Sequence, residues 1–194
     1  MVGMKLLLFS GGLDSTALAW DLRPDVCLTV DYGQRPAAGE IRAAQSLCRE
    51  MQLRHEVVRV DFSGLGLGPL AGKPSSGLAA APEWWPYRNQ MLITVAAMRF
   101  VADGLSEIII GAVSTDVHAD GKGPFLDAMD RVLLLQEGRV RLSAPARYTD
   151  PLELLSSSGI PRNLLGATFS CHVAEHPCGR CRGCEKHQQT MLAL

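Results

Sequence analysis

The chain has 194 residues, of which 47% are apolar and 20% charged, and a formal net charge of −1. That length suits one domain with a real core, and the near-neutral balance argues against an extended nucleic-acid surface. The apolar stretch at residues 6–9 is far too short for a signal h-region or a membrane span, so the expected setting is the cytoplasm, where thiols stay reduced.

Residues 4–9 are a short apolar run ended by a glycine pair, the pattern of a buried strand, and residues 14–22 take helical spacing. The junction Ser10-Gly11-Gly12-Leu13-Asp14-Ser15-Thr16 therefore reads strand, glycine turn, helix. Phosphate needs close backbone approach, several N–H donors and a favourable dipole; glycines give the first and a helix N-terminus the other two. Ser10, Ser15 and Thr16 add hydroxyl donors, and Asp14 is placed to hold Mg²⁺ against phosphates it would otherwise repel. A lone Gly-Gly pair would more simply be a tight turn with Asp14 or Ser15 as N-cap. The whole hexapeptide favours phosphate, although it is neither a Walker loop nor a dinucleotide fingerprint.

Residues 25–30 form a second strand running into Asp31-Tyr32-Gly33-Gln34-Arg35, and residues 37–51 a helix with Ile41, Ala44, Leu47, Cys48 and Met51 on one face. A third strand follows at 56–60. Residues 63–83, rich in Gly, Pro and Ser, read as a long surface loop. Trp84 and Trp85 after it read as exposed, either interface anchors or part of a lid. Helical periodicity returns at 88–102, a strand at 107–112, a helix at 124–136, a fifth strand at 139–143, and a helix of about two turns between Pro151 and Gly159. This alternation predicts an α/β fold: a five-stranded, mainly parallel sheet of Rossmann type with helices on both faces and its site at the C-terminal strand ends.

Four of the six cysteines crowd together as Cys171-x6-Cys178-x2-Cys181-x2-Cys184. In a reducing compartment this spacing reads as a structural Zn²⁺ knuckle at the C-terminus. His172, His176 and His187 leave a three-cysteine, one-histidine set open, and an Fe–S cluster is a further alternative. Cys27 and Cys48 are expected in the core. The domain reading is an α/β nucleotide domain over 1–166 with a zinc-binding segment, 167–194, packed on it.

SGGLDS resembles the pyrophosphatase loop shared by GMP synthetases, asparagine synthetases and tRNA-thiolation enzymes, which implies ATP cleaved to AMP and pyrophosphate. With Val30-Asp31-Tyr32-Gly33-Gln34-Arg35, Pro86-Tyr87-Arg88-Asn89, Ile109-Ile110-Gly111, Pro124-Phe125, Thr168-Phe169-Ser170-Cys171 and Pro177-Cys178-Gly179-Arg180-Cys181, the chain resembles the 7-cyano-7-deazaguanine synthase family over nearly its full length. The resemblance implies an adenine nucleotide alpha-hydrolase-like fold and a carbon–nitrogen ligase: the carboxylate of 7-carboxy-7-deazaguanine is adenylated, ammonia gives the amide, and a second adenylation leads to the nitrile. It implies ATP contacts at Ser10, Gly11, Gly12, Leu13, Asp14, Ser15, Thr16, Val30, Asp31 and Gly111. Substrate contacts fall at Tyr32, Gln34, Arg88, Asn89 and Asp116, and catalytic roles at Arg88, Asp14 and Arg35. Zn²⁺ falls to Cys171, Cys178, Cys181 and Cys184. A homodimer is also implied.

Two departures from the family stand out. Residues 114–123 keep Asp116 but lack the family's aromatic and cysteine, and Asp150 stands where the family tends to place a lysine, leaving Lys122 or Lys73 to supply a cation. A divergent ligase acting on another carboxylic acid is therefore the second reading. A tRNA-thiolation enzyme, which would need a basic extension, and a zinc-ribbon regulator, which would leave the loop without a task, are the others.

Overall fold

The computed structural model describes residues 3–194. Its strands β1 (Met4–Leu8), β2 (Val26–Asp31), β3 (His55–Arg59), β4 (Leu105–Ile109) and β5 (Arg141–Ser143) make one sheet in the order β3-β2-β1-β4-β5, and every neighbouring pair is parallel. Period-two alternation sends Leu6, Leu8, Leu28 and Ile108 into one core and Leu7, Phe9, Cys27 and Ile109 into another. The first is closed by α4 (Arg88–Phe100) and α5 (Gly123–Leu134) through Ile93, Phe100, Leu126 and Met129. The second is closed by α1 (Leu13–Leu22), α2 (Ala37–Met51) and α6 (Pro151–Ser157) through Leu18, Leu47 and Leu155. Both faces being covered is why β2 is buried from Val26 to Val30 and apolar there but for Thr29, while the edge strand β3 mixes His55, Glu56 and Arg59 with its valines.

From β1 the chain winds outward to β2 and β3, then returns to β4 on the other side of β1. Loops leaving β1 and β4 thus diverge, and a crevice opens at the C-terminal ends of those strands.

The structure departs from expectation in three places. The 63–83 segment contains a 3₁₀ turn at Ser63–Leu65 and a short helix, α3 (Gly68–Ala71), with Leu70 buried. Two helices were not anticipated, α7 (Arg162–Leu165) and α8 (Arg182–Ala193), the latter being too polar for a clear apolar stripe. Trp85 is 3% exposed, its ring edge-on to Tyr32 at 4.9 Å, so it is a core residue and not a surface anchor. A ring of that size gains most by leaving water, and Tyr32, Leu70 and Trp85 together seal the 63–83 segment onto the sheet.

Residues 169–184 build a small third core in which Phe169, Cys171 and Cys184 meet Ala43 of α2. The Phe169 ring lies over Gly39, where a Cβ would come within 2.5 Å of it, so a glycine in α2 is what lets this segment dock. No helix among the described residues is long and apolar enough to cross a membrane.

Candidate functional site

At the sheet's switch point lies a cavity of about 920 Å³. Its floor is the loop between β1 and α1. Gly11 has φ +73°, and a Cβ there would meet the Ala44 backbone nitrogen at 2.9 Å, so the turn presses against α2 as only glycine allows. Helix α1 begins at Gly12 with no side-chain cap, which leaves its first-turn N–H groups for a ligand. Thr16 is wholly buried and donates its hydroxyl to the Gly12 carbonyl at 2.7 Å; Ser15 donates to the same oxygen at 3.1 Å. These hydroxyls brace the loop from behind, whereas Ser10, Gly12, Leu13, Asp14 and Ser15 line the cavity. Phe169 donates its backbone N–H to the Gly11 carbonyl at 2.8 Å, tying the C-terminal segment to the turn.

Acidic groups gather beside the loop. Burial raises the Asp14 carboxyl above its ordinary value, Lys186 pulls it back from 3.6 Å, and Asp116 and Asp150 push it up again. Burial likewise raises Asp116, whose Oδ2 accepts from the Val113 N–H at 3.2 Å. Asp150 caps α6, accepting from the Leu152 N–H at 2.9 Å, which gives the aspartate at this position a structural role.

A second group of polar side chains comes from β2, α2 and α4. Burial raises the Glu40 carboxyl to about 7, against the hydrogen bond from Gln34 (2.8 Å) and the attraction of Arg88. Gln34 also donates to the Val30 carbonyl and accepts from the Tyr32 N–H at 2.8 Å, so it braces the turn after β2. Burial works against the Arg88 charge, but Tyr32, Asp120 and Glu40 outweigh it and hold the guanidinium above its ordinary value. Arg88 forms none of the ion pairs present among the described residues, so a half-buried guanidinium, contacted by the Tyr32 hydroxyl, faces the cavity without a carboxylate partner. Asn89 hydrogen-bonds the Asp120 carbonyl at 2.9 Å, and its backbone N–H meets Asp120 Oδ2 at 3.2 Å, which fixes the start of α4 against the 114–123 segment.

The sequence-named residues divide accordingly. Val30, Tyr32, Arg88, Asn89, Gly111 and Asp116 line the cavity with the loop. Asp31 faces a separate shallow depression with Gly33 and Arg59, Gln34 and Thr16 stand behind the wall, and Arg35 is exposed with its side chain over Gly72. Residues that the sequence did not assign to this cavity also reach it: Glu40, Glu83, His118, His172, Arg182 and Lys186. His118 Nδ1 is a buried atom without a hydrogen-bond partner. Glu40 gave no signal because an acid in a first helical turn is ordinary. The others converge from remote segments.

The sulfurs of Cys171, Cys178, Cys181 and Cys184 lie within 4.8 Å of one another, with Cys178–Cys184 and Cys171–Cys181 each at 3.9 Å. Tetrahedral Zn–S bonds place sulfurs about 3.8 Å apart, so the set fits one such ion. Backbone N–H groups of His172 (3.4 Å) and Cys184 (3.5 Å) donate to Cys181 Sγ, as thiolates held by a metal accept. No histidine joins the cluster; His187 Nδ1 instead meets the Ser170 hydroxyl at 3.2 Å.

Comparison with known proteins agrees with this geometry. The family model for "Queuosine biosynthesis protein QueC" matches residues 4–193. The chain is 33% identical to a 7-cyano-7-deazaguanine synthase of Anaeromyxobacter sp., over 92% of this chain and 87% of the relative. It is 31% identical to that of Desulforudis audaxviator, over 93% of each, and 28% identical to 7-cyano-7-deazaguanine synthase 1 of Desulfitobacterium hafniense, over 96% and 90%. A four-cysteine cluster that can hold zinc, a parallel sheet with a loop-floored cavity at its switch point, and a match across almost the whole length agree: the chain belongs to the QueC family of queuosine biosynthesis proteins.

Proposed function

We propose that this chain is an ATP-dependent carbon–nitrogen ligase that converts the carboxylate of 7-carboxy-7-deazaguanine, with ammonia, into the nitrile 7-cyano-7-deazaguanine. The observation that carries the reading is the half-buried Arg88, free of any carboxylate partner, facing the same cavity as the uncapped α1 N-terminus, in a chain whose relatives are named for the nitrile product. The carboxylate oxygen attacks the α-phosphorus of ATP and expels pyrophosphate. Ammonia adds to the acyl carbon, loses a proton, and AMP departs to leave the amide. The amide oxygen then attacks the α-phosphorus of a second ATP and again expels pyrophosphate; loss of the nitrogen's two protons with departure of AMP yields the nitrile.

The residues have distinct tasks in this scheme. N–H groups of Leu13–Ser15 hold phosphate oxygens, with Ser10 beside them, and Asp14 takes the Mg²⁺ that accompanies the nucleotide and screens its charge. Val30 and Gly111 border the nucleoside, with Asp31 just outside the cavity. Arg88 stabilises charge building on the acyl oxygen or departing pyrophosphate, while Tyr32, Asn89 and Asp116 frame the deazapurine. The cysteine knuckle holds Zn²⁺ as a closed, structural site. A cytoplasmic homodimer completes the reading.

The test is direct. Pure, zinc-replete protein incubated with the acid, ammonia, Mg²⁺ and ATP is expected to form the nitrile together with AMP; folded protein that yields neither overturns the proposal. The 114–123 segment favours one competing reading. Thr115, Asp116, Val117 and His118 line the cavity where the family's usual aromatic and cysteine are missing, which suits a different carboxylic acid. AMP released with another acid, and none with the deazaguanine acid, would establish that alternative.

A further inference from the structure

We infer that Lys186 is a phosphate-binding residue of the nucleotide site and that the four-cysteine knuckle holds it there. The inference rests on the ATP reading and adds the identity of the cation beside the loop.

A polyphosphate entering between Asp14, Asp116 and Asp150 needs positive charge, and the dipole of α1 amounts to only about half an elementary charge. The candidate lysines separate cleanly. Lys73 Nζ donates to the Ser63 and Gly64 carbonyls at 2.9 and 3.1 Å and is absent from the cavity wall, as is Lys122. Arg182 reaches the cavity but is paired with Glu83 at 2.9 Å. Lys186 lines the cavity, and its Nζ lies 3.6 Å from Asp14 Oδ2 on the very loop that would take the phosphates. Its side chain is 48% exposed, so it can swing from Asp14 to a phosphate oxygen when a divalent cation takes the carboxylate.

What aims Lys186 is the knuckle. It sits two residues after Cys184, in the opening turns of α8, whose N-cap is Cys181. Between those cysteines, Gly183 lies so close to the Ser170 carbonyl that a Cβ would fall 1.9 Å from it. Ser170 follows Phe169, which donates to Gly11 in the loop at 2.8 Å. The cysteine cluster, α8 and the glycine loop are therefore linked by two short contacts, Gly183 against Ser170 and Phe169 against Gly11. The cation thus arrives on α8, while Asp150, which also lines the cavity, is engaged in capping α6.

The experiment measures binding of Mg²⁺·ATP and of adenosine to the full chain by calorimetry, with zinc content determined for each sample. Lys186→Met is expected to weaken ATP by about tenfold or more, since a hydrogen bond between charged groups is lost, while leaving adenosine and zinc unchanged. Lys186→Arg should recover most of the loss. Wild-type affinity for ATP in Lys186→Met overturns the inference and leaves the ATP reading intact; a wild-type chain that binds no ATP overturns both. Should the Met variant fold poorly, Lys186→Gln against Lys186→Arg decides it, and equal ATP affinity sinks the idea. Cys178→Ser, emptied of zinc, should lose ATP affinity to the same extent with adenosine binding retained. Retained ATP affinity, or global unfolding on metal loss, overturns the coupling between knuckle and lysine.

Discussion

Arg88 shows how much of this site depends on single side chains. Its guanidinium stays charged in a buried setting because Tyr32, Asp120 and Glu40 surround it, yet none of them closes an ion pair with it. Arg88→Met is expected to lower kcat/KM by about 100-fold or more, and Arg88→Lys to recover little, because a point charge cannot replace a planar fork. Steady-state kinetics with the acid substrate measure both. Glu40 carries the opposite problem. Its carboxyl, near 7 where 4.5 is ordinary, binds its proton more tightly folded than unfolded. The stability this contributes is complete below about 4.5 and is lost as pH rises to about 7. Denaturant titrations should therefore show the wild type losing on the order of 2 kcal/mol relative to Glu40→Gln between about pH 5 and about pH 8. A wild type whose stability rises over that window relative to Glu40→Gln would show the carboxylate to be net stabilised by Arg88.

At the scale of elements, the loop and the knuckle are each local in sequence, and their coupling is not. SGGLDS needed only a strand before it and a helix after it to be read, and the cysteine spacing is a complete statement within residues 171–184. The docking of α8 depends instead on Gly183, an inconspicuous residue inside the knuckle. Gly183→Ala keeps all four thiols but forces a methyl into the Ser170 carbonyl. It is expected to cost about 2 kcal/mol or more in stability and to loosen zinc retention, measured by thermal melts and metal analysis. The residues that line the cavity without a sequence signal share one history. Glu40, Glu83, His118, Arg182 and Lys186 come from four separate segments, the last two sharing α8, and each reads in its own segment as an ordinary polar or helix-end residue. Trp85 reads as exposed for the matching reason: it follows a Gly- and Pro-rich stretch with no periodicity to mark a buried face, but its neighbours in space are Tyr32 and Leu70.

For the molecule as a whole, the central strand β1 carries both cores and leads into the glycine loop that floors the cavity, so fold stability and site geometry share one element. Leu7, fully buried between β1 and the α1–α2 layer, is a clean probe. Leu7→Ala should cost about 3 kcal/mol and lower Tm by roughly 6–12 °C, with ATP affinity of the folded fraction retained. The apolar periodicities and glycine–proline punctuation of this chain determine by themselves a doubly covered parallel sheet, a glycine turn between the first strand and its helix, and a four-thiol knuckle, because each depends on residues adjacent along the chain. Tertiary structure alone decides which wall of the cavity each charge occupies, that Arg88 is open while Arg182 is paired, and that Lys186 stands over Asp14. The physical reason is distance: hydrogen bonds and ion pairs act over a few ångströms in space, and the chain brings together groups that periodicity along a single segment has no means to relate.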